Sequence, residues 1–185
     1  MENIIRDLIY NILENRRDLL MIPLKQRAKF EGWLKFELAH ALVLEEMENV
    51  EVETRSENSF KRADIKFESK GESYKIELKP PNTNWRLDGI ENKHRPITKN
   101  INSIIHDTYK LNTGDSSIGI IAFVLFPLSS NDEDWKFYIK RISDETKLNI
   151  NDEHCRTIKI QFTDNQNSRM LICVYKTKKT IFNGV

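Results

Sequence analysis

Asp64, Glu77 and Lys79 are the residues of this 185-residue chain whose types and spacing could do chemistry. Asp64 stands in Ala63-Asp64-Ile65-Lys66-Phe67, and the other two in Tyr74-Lys75-Ile76-Glu77-Leu78-Lys79. Between these strand-like runs lies Ser69-Lys70-Gly71-Glu72-Ser73. Paired as a hairpin, the runs bring two carboxylates and one ammonium to a single face. Such a group can hold a divalent cation and activate a water beside a phosphodiester.

The apolar residues set the pairing. Side chains alternate along a strand, so Ile65 and Phe67 share one side while Asp64, Lys66 and Glu68 share the other. In the second run Tyr74, Ile76 and Leu78 oppose Lys75, Glu77 and Lys79. Matching the apolar sides puts Phe67 across from Tyr74 and Ile65 across from Ile76. Asp64 then faces Glu77. A slip of one residue would move one apolar set into water. The register implies Lys70-Gly71 as a two-residue turn, although Lys70 is not the Asn or Asp such turns prefer; a longer loop from Ser69 to Ser73 is the alternative. Opposed strand residues have Cβ atoms ~5 Å apart, close enough for the carboxylates to repel unless a cation lies between them. A hard ion such as Mg²⁺, bound by one or two carboxylates with several retained waters, suits this arrangement. Lys79, on the same face, could stabilise developing negative charge. Alternating charge on a hairpin also suits a solvated face, and 31% of the chain is charged. Support has to come from the elements around the hairpin.

Residues 2 to about 20 repeat apolar positions at helical spacing (Ile5, Leu8, Ile9, Ile12, Leu13), ending before Pro23. A second helix is expected over about Gln26 to Met47, with Phe30, Trp33, Leu34, Leu38, Ala41, Leu42 and Leu44 inward. Glu37 falls on this stripe, one turn from Trp33 and one turn from Ala41. A carboxylate there is costly unless paired or metal-associated; an edge position reaching solvent or a lysine is the other reading. Val50 to Glu53 reads as a short strand. After Lys79 the chain breaks at Pro80-Pro81 and runs through a polar loop carrying Trp85, Arg86, Lys93, His94 and Arg95. A loop leaving a strand end beside an acidic site suits phosphate contacts and a stacking aromatic; it suits a solvated connector as well. A third helix is expected over about Thr98 to Leu111, with Ile101, Ile104, Ile105 and Thr108 inward and Lys99 and His106 on other faces. Ile118 to Phe126 is a continuous apolar run, read as a central strand covered on both sides. Trp135 to Ile142 fits a strand or a helix. Thr157 to Thr163 and Met170 to Thr177 read as a closing hairpin around residues 164 to 168.

Length and composition bound the rest. The chain is long enough for one domain with an ordinary core, taken as residues 1 to 185. Mean hydropathy is −0.56 and no apolar run approaches a membrane span, so a soluble protein with no membrane partner is expected. Met1-Glu2-Asn3 does not open a signal peptide. Cys155 and Cys173 show neither metal-ligand nor redox spacing and are read as reduced thiols of a cytoplasmic protein. A net charge of +1 excludes a general polycation, so any nucleic-acid contact must be a local patch.

The order helix with inward Glu, strand with Asp, strand with Glu-x-Lys, helix, apolar strand resembles the PD-(D/E)xK nuclease superfamily. The matching residues are Glu37, Asp64 and Glu77-Leu78-Lys79, with Ala63 where the family name has proline. The resemblance covers about residues 26 to 126. It implies an α/β fold with a restriction-endonuclease-like core: a central mixed β-sheet flanked by helices on both faces, here with an extra N-terminal helix and C-terminal strands. It further implies a Mg²⁺- (or Mn²⁺-) dependent nuclease, restriction- or repair-related, hydrolysing phosphodiester bonds in DNA by in-line attack. Asp64 and Glu77 would ligate the metal, helped by the Leu78 backbone carbonyl. Lys79 would orient or activate the attacking water, and Glu37 would complete the catalytic set. Trp85, Arg86, Lys93, Arg95 and Lys99 would meet the nucleic acid, His106 is a further auxiliary position, and the reading leaves room for a homodimer. A non-enzymatic nucleic-acid-binding or assembly module on the same fold is the competing expectation, and an unrelated α/β protein with a solvated acidic hairpin is the third.

Overall fold

The alternation of residues 65 to 78 is realised as expected. In the computed structural model, which describes residues 1–26, 28–54, 63–83, 97–112, 116–129, 133, 135–163 and 166–177, strand β2 (Ile65–Ser69) pairs antiparallel with β3 (Glu72–Lys79). Ile65 lies opposite Ile76 and Phe67 opposite Tyr74, whose rings stack at 5.1 Å. The connection is the two-residue turn, with φ of 51° at Lys70 and 77° at Gly71. Positive φ at both positions is what a primed hairpin turn requires; Lys70 accepts the left-handed conformation at the solvent-exposed tip.

Around this hairpin the chain builds a six-stranded mixed sheet in the order β1-β2-β3-β4-β6-β5. Strand β1 (Glu48–Val52) forms one edge beside β2. The crossover from β3 through helix α4 (Ile97–Asn112) returns as β4 (Ile118–Ser129), parallel to β3. Strands β5 (Cys155–Thr163) and β6 (Gln166–Lys176) close the sheet antiparallel, with β6 between β4 and β5. Pairing reaches Thr163 opposite Gln166, so residues expected in that turn belong to the ladder.

Strand β4 shows why its apolar run is unbroken. Ile120, Ala122, Val124 and Phe126 face one core with helices α1 (Glu2–Asn15), α2 (Arg17–Gln26) and α3 (Glu31–Leu44). Ile121, Phe123 and Leu125 face a second core with α4 and α5 (Trp135–Thr146). Both sides of a parallel neighbour are covered, so both must be apolar. The ambiguous 135–142 segment is helical because Trp135, Ile139, Ile142 and Thr146 bury one side at helical spacing. The N-terminal region differs from expectation. The first helix ends at Asn15, and α2 runs through Pro23 to Gln26. Proline there takes the hydrogen-bond donor from the carbonyl four residues back, that of Leu19, which stands in solvent. Among the described residues no helix is long and apolar enough to cross a membrane.

Helix α4 sits close over the sheet because Gly119 has no side chain. A Cβ built there would collide with the Thr177 hydroxyl and come within 2.9 Å of Leu111 Cβ. The Thr177 amide also donates to the Gly119 carbonyl at 2.8 Å. Gly119→Ala is therefore expected to destabilise the fold by about 1–3 kcal/mol through overpacking, measured by urea denaturation. An unchanged midpoint would show that α4 has room to shift.

Candidate active site

Each functional side chain is delivered by an element whose apolar residues leave it no other place. Asp64 precedes β2 at a bend. Its amide donates to the Ile76 carbonyl at 3.1 Å, and its carbonyl accepts from the Glu53 amide at 2.9 Å. Its Oδ2 accepts the Leu78 N–H at 2.8 Å. The carboxylate is thereby pinned to the end of β3.

Glu77 and Lys79 point to the α4 side of β3, as the alternation demands. Glu77 is only 7% exposed. The Lys79 ammonium donates to its Oε1 at 2.9 Å, and Lys110 of α4 stands 3.7 Å from Oε2. Lys79 is also 3.4 Å from Asp107 Oδ2, again from α4. Ile101, Ile104, Ile105 and Thr108 bury the inner side of that helix, which carries Asp107 inward with them.

Helix α3 contributes residues the sequence reading did not choose. Its buried stripe is Leu34, Lys35, Leu38, Ala39 and Leu42. Lys35, buried despite its charge, bonds Glu53 Oε1 at 2.6 Å and lies 3.8 Å from Asp64 Oδ1. One turn earlier, Glu31 feels the charges of Lys79 and Asp64. Glu37 belongs elsewhere. It is half-buried and accepts a hydrogen bond from Trp33 Nε1 at 3.2 Å. The expected stripe counted Trp33, Ala41 and Leu44 as inward. Leu44 is 70% exposed and the other two are only partly covered. That miscount rotated the inner face onto Glu37. The line Glu31, Lys35, Leu38, Leu42, at intervals of four and three, was the signal for the observed face.

Of these groups Glu31 and Lys79 border an open cleft of about 250 Å³, lined also by Lys29, Pro80, Pro81, Asn100 and Ser103. It lies where β3 leaves the sheet between the start of α3 and the first turns of α4. Lys99, adjacent to the cleft-lining Asn100, is exposed. His106 is exposed as well, its Nδ1 3.7 Å from Asp107 Oδ1. Trp85, Arg86, Lys93 and Arg95 lie outside the described residues.

Burial is the main force on the site's titration. It raises the Glu77 carboxyl above the ordinary 4.5; Lys79 opposes this, while the charge of Asp64 adds to it. Glu31 is raised for the same first reason, with Lys79 again opposing and Asp64 adding. For Lys79 burial pulls down, but Glu77, Asp107 and Glu31 together hold the ammonium above the ordinary lysine range. No three His, Cys, Asp or Glu side chains converge as a metal-binding group among the described residues. Asp64 and Glu77 form a donor set of two carboxylates, which fits an ion that keeps most of its water. Leu78 is engaged through its N–H.

The sign of the pH effect follows. A carboxyl raised in the folded state costs stability when ionised, and that cost disappears as pH falls through the folded value toward 4.5. Glu77→Gln should remove one such contribution. The stability difference between wild type and variant, measured by urea denaturation from pH 7 down to about pH 4.5, should shift in favour of wild type as pH falls. A difference independent of pH would contradict the raised carboxyl.

Comparison of the chain with protein-family models, with curated proteins and with solved structures finds no match.

Proposed function

We propose that this protein is a metal-dependent nuclease that hydrolyses phosphodiester bonds in DNA, built on a restriction-endonuclease-like core of α3, β1, β2, β3, α4 and β4. One observation carries the reading: Asp64 is pinned to the Leu78 N–H next to the Glu77–Lys79 pair, whose ammonium and carboxylate are 2.9 Å apart, and Lys79 lines an open cleft. A binding module for a polyanion has no use for facing carboxylates, which repel phosphate unless a cation lies between them.

Asp64 and Glu77 would hold Mg²⁺ or Mn²⁺. When bound, the ion supplies charge stabilisation on the phosphate and a more acidic water. Asp64 spends Oδ2 on the Leu78 N–H, and its Oδ1 lies 3.8 Å from Lys35 Nζ. A strand residue's N–H and C=O point to the same neighbour, so the Leu78 carbonyl is directed to the Asp64 side and can complete the donors. Lys79 is held protonated by its three carboxylates. Its role is accordingly to orient the attacking water and stabilise charge rather than to accept a proton. Lys35 balances Asp64 and Glu53 from behind. Glu31, which lines the cleft with Lys79, would be the helical carboxylate to meet a hydrated cation, since Glu37 is bonded to Trp33. Lys29, Asn100 and Ser103 offer phosphate contacts along the cleft.

The test incubates purified protein with plasmid, linear and single-stranded DNA in Mg²⁺, Mn²⁺ or EDTA. Cleavage should require the metal and fall about 10²–10³-fold in Asp64→Ala, Glu77→Ala and Lys79→Ala. Glu31→Gln should fall substantially, with Glu37→Gln close to wild type. Metal-dependent cleavage surviving Asp64→Ala and Lys79→Ala would reject the site. No cleavage of any substrate, with no metal binding, would favour a non-enzymatic module.

A further inference from the structure

Helix α3 is apolar on both sides, and only one side is used. Its inner residues fill the core, yet Phe36 is 59% exposed, Val43 55% and Leu44 70%. With Gly32, Trp33 and the exposed His40, they occupy about a third of the helix circumference. A helix that is hydrophobic all round is normally covered all round. At Gly32 the surface is open: a Cβ there would meet nothing within 4 Å.

The charges at the two ends of α3 point to what covers it. Lys25, in the last turn of α2, and Lys29, at the edge of the cleft, are exposed before its N-terminus; Glu45, Glu46 and Glu48, the last of them opening β1, are exposed after its C-terminus. The acidic run sits where the helix dipole disfavours negative charge, and no basic residue occupies the last turn. Basic and acidic ends flanking an apolar middle are complementary to the same face turned end for end.

We propose that the outer face of α3 binds the α3 of a second copy of this chain in an antiparallel, two-fold pair. Centred near Leu38, the pair lays Leu44 of each copy over Gly32 of the other, Val43 against Trp33, and Phe36 against His40. The lysines of one copy then flank the glutamates of the other, and each helix dipole runs against its partner's. One helix face covers less than the ~800 Å² per partner of a typical tight complex, so the dimer is concentration-dependent in the micromolar range or weaker. This inference does not rest on the nuclease reading, although Lys29 borders the cleft as well.

Sedimentation equilibrium of the full chain from micromolar to millimolar concentration tests it. The mass should rise toward that of a dimer. Phe36→Glu and Leu44→Glu, at exposed positions, should each weaken association at least about tenfold with unchanged circular dichroism and melting. The Gly32→Cys/Leu44→Cys double variant should form an intermolecular disulfide under oxidising conditions. Within one chain these positions are about 18 Å apart along the helix. Wild type, with Cys155 and Cys173 only, sets the background. Three results would overturn the proposal: a wild-type monomer throughout, which leaves the face to another occupant; a dimer indifferent to both Glu substitutions; or a dimer lost in Phe36→Glu that never cross-links between positions 32 and 44.

Discussion

A carboxylate buried on a strand that is covered on both sides is the constraint around which the rest of this structure is arranged. Glu77 lies in β3, between β2 and the parallel β4, and it is almost fully enclosed. Removing that charge from water is costly, and Lys79 and Lys110 offset only part of the cost, since the carboxyl still binds protons more tightly than usual. Replacing buried ion pairs by apolar residues of similar size is often neutral or stabilising. Replacing Glu77 alone is a different matter, because it would take from the partly buried Lys79 and Lys110 a carboxylate they share. The ionic group at the end of β3 is therefore held as a network, with partners drawn from β3 and α4 together.

Its surroundings are built to hold it still. The hairpin register ends at Ile65 opposite Ile76; Asp64, one residue before it, gives its amide to the Ile76 carbonyl, and the Leu78 N–H fixes its carboxylate. Gly119 lets α4 descend far enough for Asp107 and Lys110 to reach the strand. Helix α3 brings Glu31 and Lys35 from the opposite side of the sheet. The cleft then opens beyond the C-terminal end of β3, beside its parallel partner, the position where open α/β sheets commonly receive ligands.

How much of this could be read from the residues depended on period and burial. The β2–β3 register was legible because Ile65, Phe67, Tyr74 and Ile76 admit a single alignment with one face buried. β4 was legible because nine consecutive apolar residues allow no solvated side. Helix α3 misled because it is apolar almost all round. With Phe36, Val43 and Leu44 exposed, its periodicity does not mark the inner face, and Glu37 reads as inward although it lies at the edge, bonded to Trp33. Lys35 and Asp107 escaped for a different reason. Their burial is repaid by partners remote in sequence, Glu53 and Asp64 for one and Lys79 for the other, and no local pattern announces such pairs. The 135–142 segment became unambiguous only when Thr146 extended its buried line to a full helix face.

The most direct test of the account is calorimetric titration of Mg²⁺ into the protein at neutral pH, comparing wild type with Asp64→Asn and Glu77→Gln. The account predicts saturable binding by wild type that is lost or weakened at least about tenfold in either variant, because each supplies one of only two carboxylates in the donor set. Binding unchanged in both variants, or absent from a protein that still cleaves DNA in EDTA, would contradict it.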